Sequence, residues 1–438
     1  MDGLIEKLDG RSIRQINDEE LRRLDEVVDW SKDSSFRTYA INSLLATMGM
    51  ASANGDMDKI MDYAFNGAVL DKRTGNTGFT VSYGQDGRFR TVVSIMPVFD
   101  ENAYTQDSPL IARSAGDNGE IEIDIGGRAK IPANVKKTPR WYMQGYKTSS
   151  GEVFGSELVQ WENGVLMLSI PSYGRQVCAY LANKDNACKF CGLEQGKYKP
   201  LTPEILADIV KRQMEESGST SMTMTGGNSL SQNRGFEKYI PFVELLRDKY
   251  GSSLPIELEA SPPREQKYLD WLIRSNASFM GNVEVWDEDQ RKSMIPAKAR
   301  DNPRDEYMQT LGYLNEKGVD TYSVLIASLQ TFDSLFKGTE ELAKIGTTAV
   351  ILPFKQTGGQ LSEYRATGAA DLMKATIGAA NIMRNYGLFL DNKPKECCSG
   401  CGGCGADANL RDNLAMVNDP GFKAFEAKYG TNAMAGGD

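Results

Sequence analysis

From Val165 onward, short apolar runs alternate with longer stretches whose apolar residues recur every three or four positions. "VLMLSIP", "SMTMTGG", "PIELEAS", "SFMGNVEVW", "TYSVLIAS" and "TAVILPF" are too short and too evenly apolar for helices, so they read as strands buried on both faces. Between them, "TPEILADIVKRQMEES", "FEKYIPFVELLRDKY", "PREQKYLDWLIRS", "PRDEYMQTLGYLNEKG" and "TFDSLFKGTEELAKIG" carry the helical period, and "GAADLMKATIGAANIMRNYG" follows the sixth strand. Strand–helix alternation implies parallel pairing through right-handed crossovers. The expected fold class is α/β, a six-unit (β/α) partial TIM barrel over residues 161–390, with a doubly wound open sheet as the competitor. In a barrel, chemistry gathers at the C-terminal ends of the strands.

Residues 1–160 follow a different pattern. "NDEELRRLDEVVDWSK" and "FRTYAINSLLATMGMA" read as helices, and "GFTVSYG", "RFRTVVSIMPVF" and "EIEIDIGG" as strands separated by Gly, Asn and Asp. This predicts a small α+β domain, a candidate for substrate recognition. The tail, 391–438, is rich in Gly and Ala and predicts loop plus the short helix "FKAFEAKYG".

The chain has 438 residues and a net charge of −9, an acidic balance that argues against coating nucleic acid or an anionic membrane. The only mixed basic and aromatic stretch, "NVKKTPRWYMQGYK", reads as ordinary strand-edge surface. No apolar run is long enough to span a bilayer, and the mixed-charge start does not read as a targeting peptide, so the expectation is a cytoplasmic protein. No phosphate-binding P-loop is present. There is no histidine, which removes Ser-His-Asp and Cys-His catalysis and every His-ligated metal site.

The seven cysteines fall in two clusters, Cys178, Cys188 and Cys191, then Cys397, Cys398, Cys401 and Cys404. An odd, tightly clustered set in a large chain reads as metal binding rather than a disulfide framework. The first cluster has the spacing C-x9-C-x2-C and follows the first barrel strand. Three thiolates can hold three corners of a [4Fe-4S] cluster and leave the fourth iron open. A zinc knuckle with a borrowed ligand, or buried thiols without metal, are the alternatives.

Strand, cysteine loop ending "CKFCG", helix, then "MTMTGGNS" at the second strand together resemble the radical S-adenosylmethionine (radical SAM) superfamily. The resemblance covers roughly residues 162–390. Phe190 takes the aromatic place before the last cysteine, and Gly226, Gly227 and Asn228 match the Gly-Gly-acid stretch that grips the cofactor's amino group, with Asn for the acid. The nine-residue gap departs from the usual three, which withholds the subfamily. "NVEVWDEDQRKSM" looks like a segment of the biotin synthase and methylornithine synthase branch. The resemblance implies that Glu259, Glu284 and Arg291 help hold S-adenosylmethionine; Glu257, Ser261, Pro353 and Gln356 are weaker candidates. It implies hydrogen abstraction by a 5′-deoxyadenosyl radical, a reductant such as ferredoxin or flavodoxin, and a small-molecule or peptide substrate. For "ECCSGCGGCG" it favours an auxiliary iron–sulfur cluster over a mononuclear site or redox-active thiols. The reading from another class is a non-catalytic iron–sulfur carrier or scaffold, which normally closes all four iron positions with cysteine.

Overall fold

A computed structural model describes residues 8, 10–48, 50–52, 56, 59–60, 63, 78–83, 89–94, 107–149, 151–162, 165–169, 178–191, 201–218, 220–355, 359–361, 363–388, 396–401 and 418–430. Cys404 and Gln356 lie outside the described residues.

Two helices open the chain, α1 (Ile13–Asp25) and α2 (Ser35–Met48). Ser12 caps α1 in a reciprocal capping box with Gln15. Next come β1 (Ala51–Ser52), β2 (Gly78–Tyr83), β3 (Phe89–Ser94), β4 (Leu110–Ser114), β5 (Glu120–Ile125) and β6 (Lys130–Val135). They form one sheet in the order β1-β4-β5-β6-β2-β3, antiparallel except for β1 against β4. A hairpin, β7 (Gly145–Thr148) and β8 (Gly151–Phe154), follows. Trp141, Tyr142 and Tyr146 of the basic–aromatic stretch are buried, and Trp141 Nε1 donates to Gln213 at 2.6 Å.

The second sheet holds β9 (Gln160–Glu162), β10 (Val165–Ser169), β11 (Ser221–Thr225), β12 (Ile256–Glu259), β13 (Ser278–Met280), β14 (Thr321–Ala327) and β15 (Thr348–Pro353). Its strands lie in sequence order, so every crossover turns the same way and no switch point exists. The result is a half-barrel of seven strands, parallel from β10 to β15. The antiparallel edge strand β9 lies outside the six-unit pattern expected from the sequence. Helices α3 (Pro203–Ser217), α4 (Ile240–Tyr250), α5 (Gln266–Ser275), α6 (Glu288–Met294), α7 (Pro296–Asp301), α8 (Arg304–Glu316), α9 (Phe332–Lys344) and α10 (Ala369–Asn385) connect and cover it. A single helical turn, α11 (Cys397–Cys401), and α12 (Pro420–Tyr429) close the chain.

Strand alternation splits the apolar residues into two clusters. Met222, Met224, Ile256, Leu258, Phe279, Leu325 and Ile351 point outward and share one large core with the helices and the N-terminal sheet. Met280, Tyr322, Val324, Ile326 and Val350 point inward and form a smaller core on the concave side. The row Thr223–Glu257–Ser278 and the row Glu259–Met280–Tyr322 lie on that concave face too.

The N-terminal helices are fixed to the half-barrel through α10. Helix α2 is buried from Thr38 to Met48, as expected when a helix is sandwiched. Tyr39 shares a hydrogen bond with Thr376 on α10. Glu20, 1% exposed, pairs with Arg365 and with Arg23, and Arg23 bridges to Asp371 of α10 at 2.9 Å. Gly368 leaves room for this carboxylate, since a Cβ there would come within 2.5 Å of it. Helix α12 returns to stack Phe422 and Phe425 against Phe36. Removing one partner of a buried pair costs about 3–5 kcal/mol. Glu20→Ala is therefore expected to destabilise the chain by roughly 3 kcal/mol in urea unfolding.

Candidate functional site

The first cysteine loop follows β10 and comes back on itself. After Cys178, a 3₁₀ turn (Ala179–Ala182) buries Tyr180, and a second turn closes where Asn186 N and Ala187 N donate to Asn183 O. The stretch "AYLANKDNA" is thus two compact turns rather than an open excursion. Cys191 N donates to Cys188 O at 3.0 Å, folding "CKFC" into a tight turn. The loop is pinned to its surroundings by Ala179 N to Asn228 O, 2.8 Å, Lys189 N to Met294 O, 2.9 Å, and Gln360 N to Lys189 O, 2.9 Å.

These turns bring Cys178 and Cys191 within electrostatic reach of Cys188. Cys188 and Phe190 pack on the concave apolar cluster. Burial pushes the Cys188 thiol well up, Glu284 adds to this, and Lys298 opposes it. Such a thiol becomes a thiolate once a metal takes its proton's place. No disulfide joins these three cysteines. Among the described residues no three Cys, Asp or Glu side chains converge on a single ion. A four-iron cube asks less of them, because each thiolate takes its own iron.

Several groups expected from the sequence lie at the ends of β11 and β12, and Asn228 and Ser261 bond to each other. Gly226, Gly227 and Asn228 follow β11 directly. Asn228 Oδ1 accepts from Ser261 Oγ and, at 3.2 Å, from Asn302 Nδ2. Ser261 Oγ also meets Tyr307 OH at 3.0 Å. Glu259 ends β12, takes Asn282 Nδ2 at 2.5 Å, and has its pKa raised chiefly by burial.

Glu284 sits in the left-handed region at φ 67°, where a non-glycine residue is strained. Val285 N reaches across it to Val283 O at 2.8 Å, a γ-turn. Three further hydrogen bonds hold it there: Glu284 N to Val324 O, Ile326 N to Glu284 O, and Gln330 Nε2 to Glu284 O. Its Oε1 pairs with Lys298 Nζ at 2.9 Å, while its Oε2 is out of solvent and has no partner.

Arg291 is fully buried and donates to Val283 O and, at 3.0 Å, to Asn302 O. It braces the backbone next to Glu284, with its guanidinium 5.6 Å from the centre of the Tyr307 ring. Pro353 ends β15. Residues not anticipated from the sequence complete the shell: Lys298 of α7, Tyr180, Asn302, Tyr307 and Lys238. Burial drives the Lys238 ammonium down to about 7, opposed by Cys178. Its Nζ lies 3.4 Å from Gly227 O.

Residues 185–335, which hold most of these groups, match the Radical SAM superfamily. This stretch is a radical SAM superfamily domain. The structure is similar to Streptococcus suis SuiB bound to its precursor peptide SuiA, at 14% identity over 50% of this chain and 47% of that one, TM-score 0.38. It is also similar to a radical SAM methyltransferase from Sphaerobacter thermophilus, at 16% identity over 66% and 80%, TM-score 0.39. The chain thus spans about half the length of SuiB. No curated protein matches it in sequence. Among the described residues no helix is long and apolar enough to cross a membrane.

The second cysteine segment meets the opposite end of the sheet from Cys178, Cys188 and Cys191. Three successive amides of α11 bond to inward-facing side chains: Cys397 N to Ser221 Oγ at 2.9 Å, Cys398 N to Thr223 Oγ1 at 2.8 Å, and Ser399 N to Glu257 Oε1 at 3.3 Å. Cys397 adopts φ 57°, and its thiol is buried and donates to Met222 O at 3.3 Å. Glu257 is fully buried, its Oε2 has no partner, and burial raises its pKa to about 7.

That shift sets a pH dependence. The native Glu257 carboxyl holds its proton up to about pH 7, whereas the ordinary value is 4.5. Between these values the native chain binds more protons than the unfolded one, so its stability falls as pH rises. From pH 5 to pH 8 the metal-free wild type is expected to lose roughly 3 kcal/mol more than Glu257→Gln, read by urea unfolding at both pH values.

Proposed function

We propose that the chain is a radical SAM enzyme in which Cys178, Cys188 and Cys191 hold a [4Fe-4S] cluster whose fourth iron takes the amino acid part of S-adenosylmethionine. The observation that carries this reading is the grouping of Cys178 and Cys191 with Cys188, beside Glu284 and Lys298, with Cys188, Cys191, Glu284 and Lys298 inside the matched residues 185–335. When bound, the cluster supplies the electron that splits the cofactor and yields the 5′-deoxyadenosyl radical that takes hydrogen from the substrate.

The chain's own residues position and shield. The unpartnered Oε2 of Glu284 is an acceptor for the cofactor's ammonium. Gly226 and Gly227 keep the end of β11 low enough for a close approach. Asn228 has its oxygen engaged by Ser261 and Asn302, so its amide nitrogen is the group left to face the ligand. Glu259 contributes a second acceptor, and Phe190 closes the cluster off from water. The apolar wall of Val324, Ile326 and Val350 supports a substrate that is a small molecule or a peptide side chain entering the half-barrel. The segment from Asn282 to Met294 supports placing the chain in a biotin synthase and methylornithine synthase-like branch. A ferredoxin or flavodoxin in the cytoplasm is the reductant.

At the other end, Cys398, Cys401 and Cys404 hold an auxiliary iron–sulfur cluster, and Cys397 anchors the turn through its amide and thiol. Adjacent cysteines cannot both face one metal without backbone strain, and Cys397 already carries the left-handed φ.

Reconstituted protein with dithionite is expected to release 5′-deoxyadenosine from S-adenosylmethionine, and Cys188→Ala to release none, by chromatography of the quenched reaction. Iron analysis of the wild type is expected to give about eight irons per chain, about four for Cys401→Ala, and about eight for Cys397→Ala.

A further inference from the structure

Buried ion pairs do little for stability, since apolar residues of the same volume often serve as well. The pair of Lys298 and Glu284 therefore calls for a reason beyond folding. Its side chains are 9% and 15% exposed and 2.9 Å apart. Glu284 is held at a strained φ by four hydrogen bonds across and around it. Lys298 lies in α7, with its Nζ 5.6 Å from the centre of the Tyr307 ring. Both charges lie within electrostatic reach of Cys188, which packs on the concave cluster. Glu259 lies within electrostatic reach of both, the Arg291 guanidinium is 5.6 Å from the centre of the same Tyr307 ring, and Lys238 stands near Cys178.

We propose that the Lys298–Glu284 pair sets the reduction potential of the cluster held by Cys188, Lys298 favouring the reduced form and Glu284 opposing it. The inference rests on the cluster reading above. Reduction passes one electron from a low-potential donor such as dithionite to the cluster; no bond breaks and no proton moves. It adds one negative charge close to a fixed cation and a fixed anion, in a place where water screens poorly. Removing either fixed charge shifts the equilibrium, and the two removals shift it in opposite directions. In this role Lys298 and Glu284 act through their charge on the cluster, separately from the contact that Glu284 offers the cofactor's ammonium, which is why the titration is run without S-adenosylmethionine.

The test is an equilibrium redox titration of the full chain, reconstituted with iron and sulfide and carrying Cys401→Ala so that one cluster reports, followed by electron paramagnetic resonance without S-adenosylmethionine. Glu284→Gln is expected to raise the ratio of reduced to oxidised cluster about tenfold at a fixed poise, an upward move of about 59 mV for one electron. Lys298→Met is expected to lower it by about the same factor, and Lys298→Arg to stay near the parent. Parent-like midpoints in both Glu284→Gln and Lys298→Met would overturn the proposal. If Lys298→Met fails to fold, an unmoved midpoint in Glu284→Gln overturns it alone. A parent chain that takes up no iron, and so gives no signal to titrate, overturns the cluster reading instead. A merely structural pair would change the melting temperature and leave the midpoint where it was.

Discussion

The γ-turn at Glu284 is the constraint on which the site depends. Strand β13 ends at Met280, and the chain then has to turn inward and still pair with β14. It does so by placing a non-glycine residue at φ 67° and bonding its amide and carbonyl to Val324 and Ile326. Pairing with a fully buried strand holds the strained residue in place, since releasing it would unsatisfy backbone groups that water cannot reach. From this fixed backbone the carboxylate pairs with Lys298 and lies within electrostatic reach of Cys188. Arg291, below the turn, completes the brace by taking up Val283 O.

The concave face then divides by chemistry. Toward β11 and β12 it is polar, with Thr223, Glu257 and Glu259; toward β14 and β15 it is apolar, with Val324, Ile326 and Val350. The two cysteine sets approach this one face from its two ends. The first is carried on side-chain packing of Cys188 and Phe190, the second on three backbone amides of α11.

Much of this was legible in the sequence, for physical reasons that differ by element. The strands β10 to β15 lie within the apolar runs, because a parallel strand covered on both faces has to be apolar at nearly every position. The run "SFMGNVEVW" reads as one long strand but is three residues of strand and a turn. A period of two does not reveal a single residue of positive φ. Arg291 lies within the expected segment and bonds to Val283 O and Asn302 O, while Lys298, seven residues further, reaches the Glu284 carboxylate. Pairings of that kind depend on how α6 and α7 turn, which no local pattern encodes. The aromatic run around Trp141 has the composition of a surface but the burial of a core, because α3 supplies Gln213 for the indole. Similarly, nothing in the adjacent pair Cys397 and Cys398 tells which of the two takes the left-handed φ.

The pinned ends of the first cysteine loop bear on how such a chain can change. Asn228, Met294 and Gln360 hold it on both sides, and the residues between fold on themselves against Asn183. Insertions inside that stretch add a turn to solvent at little closure cost and leave the sulfurs where they are. The number of residues separating Cys178 from Cys188 can therefore drift through evolution independently of the site. For this chain, kinship is better traced through the residues that grip the loop than through the length of the loop they grip.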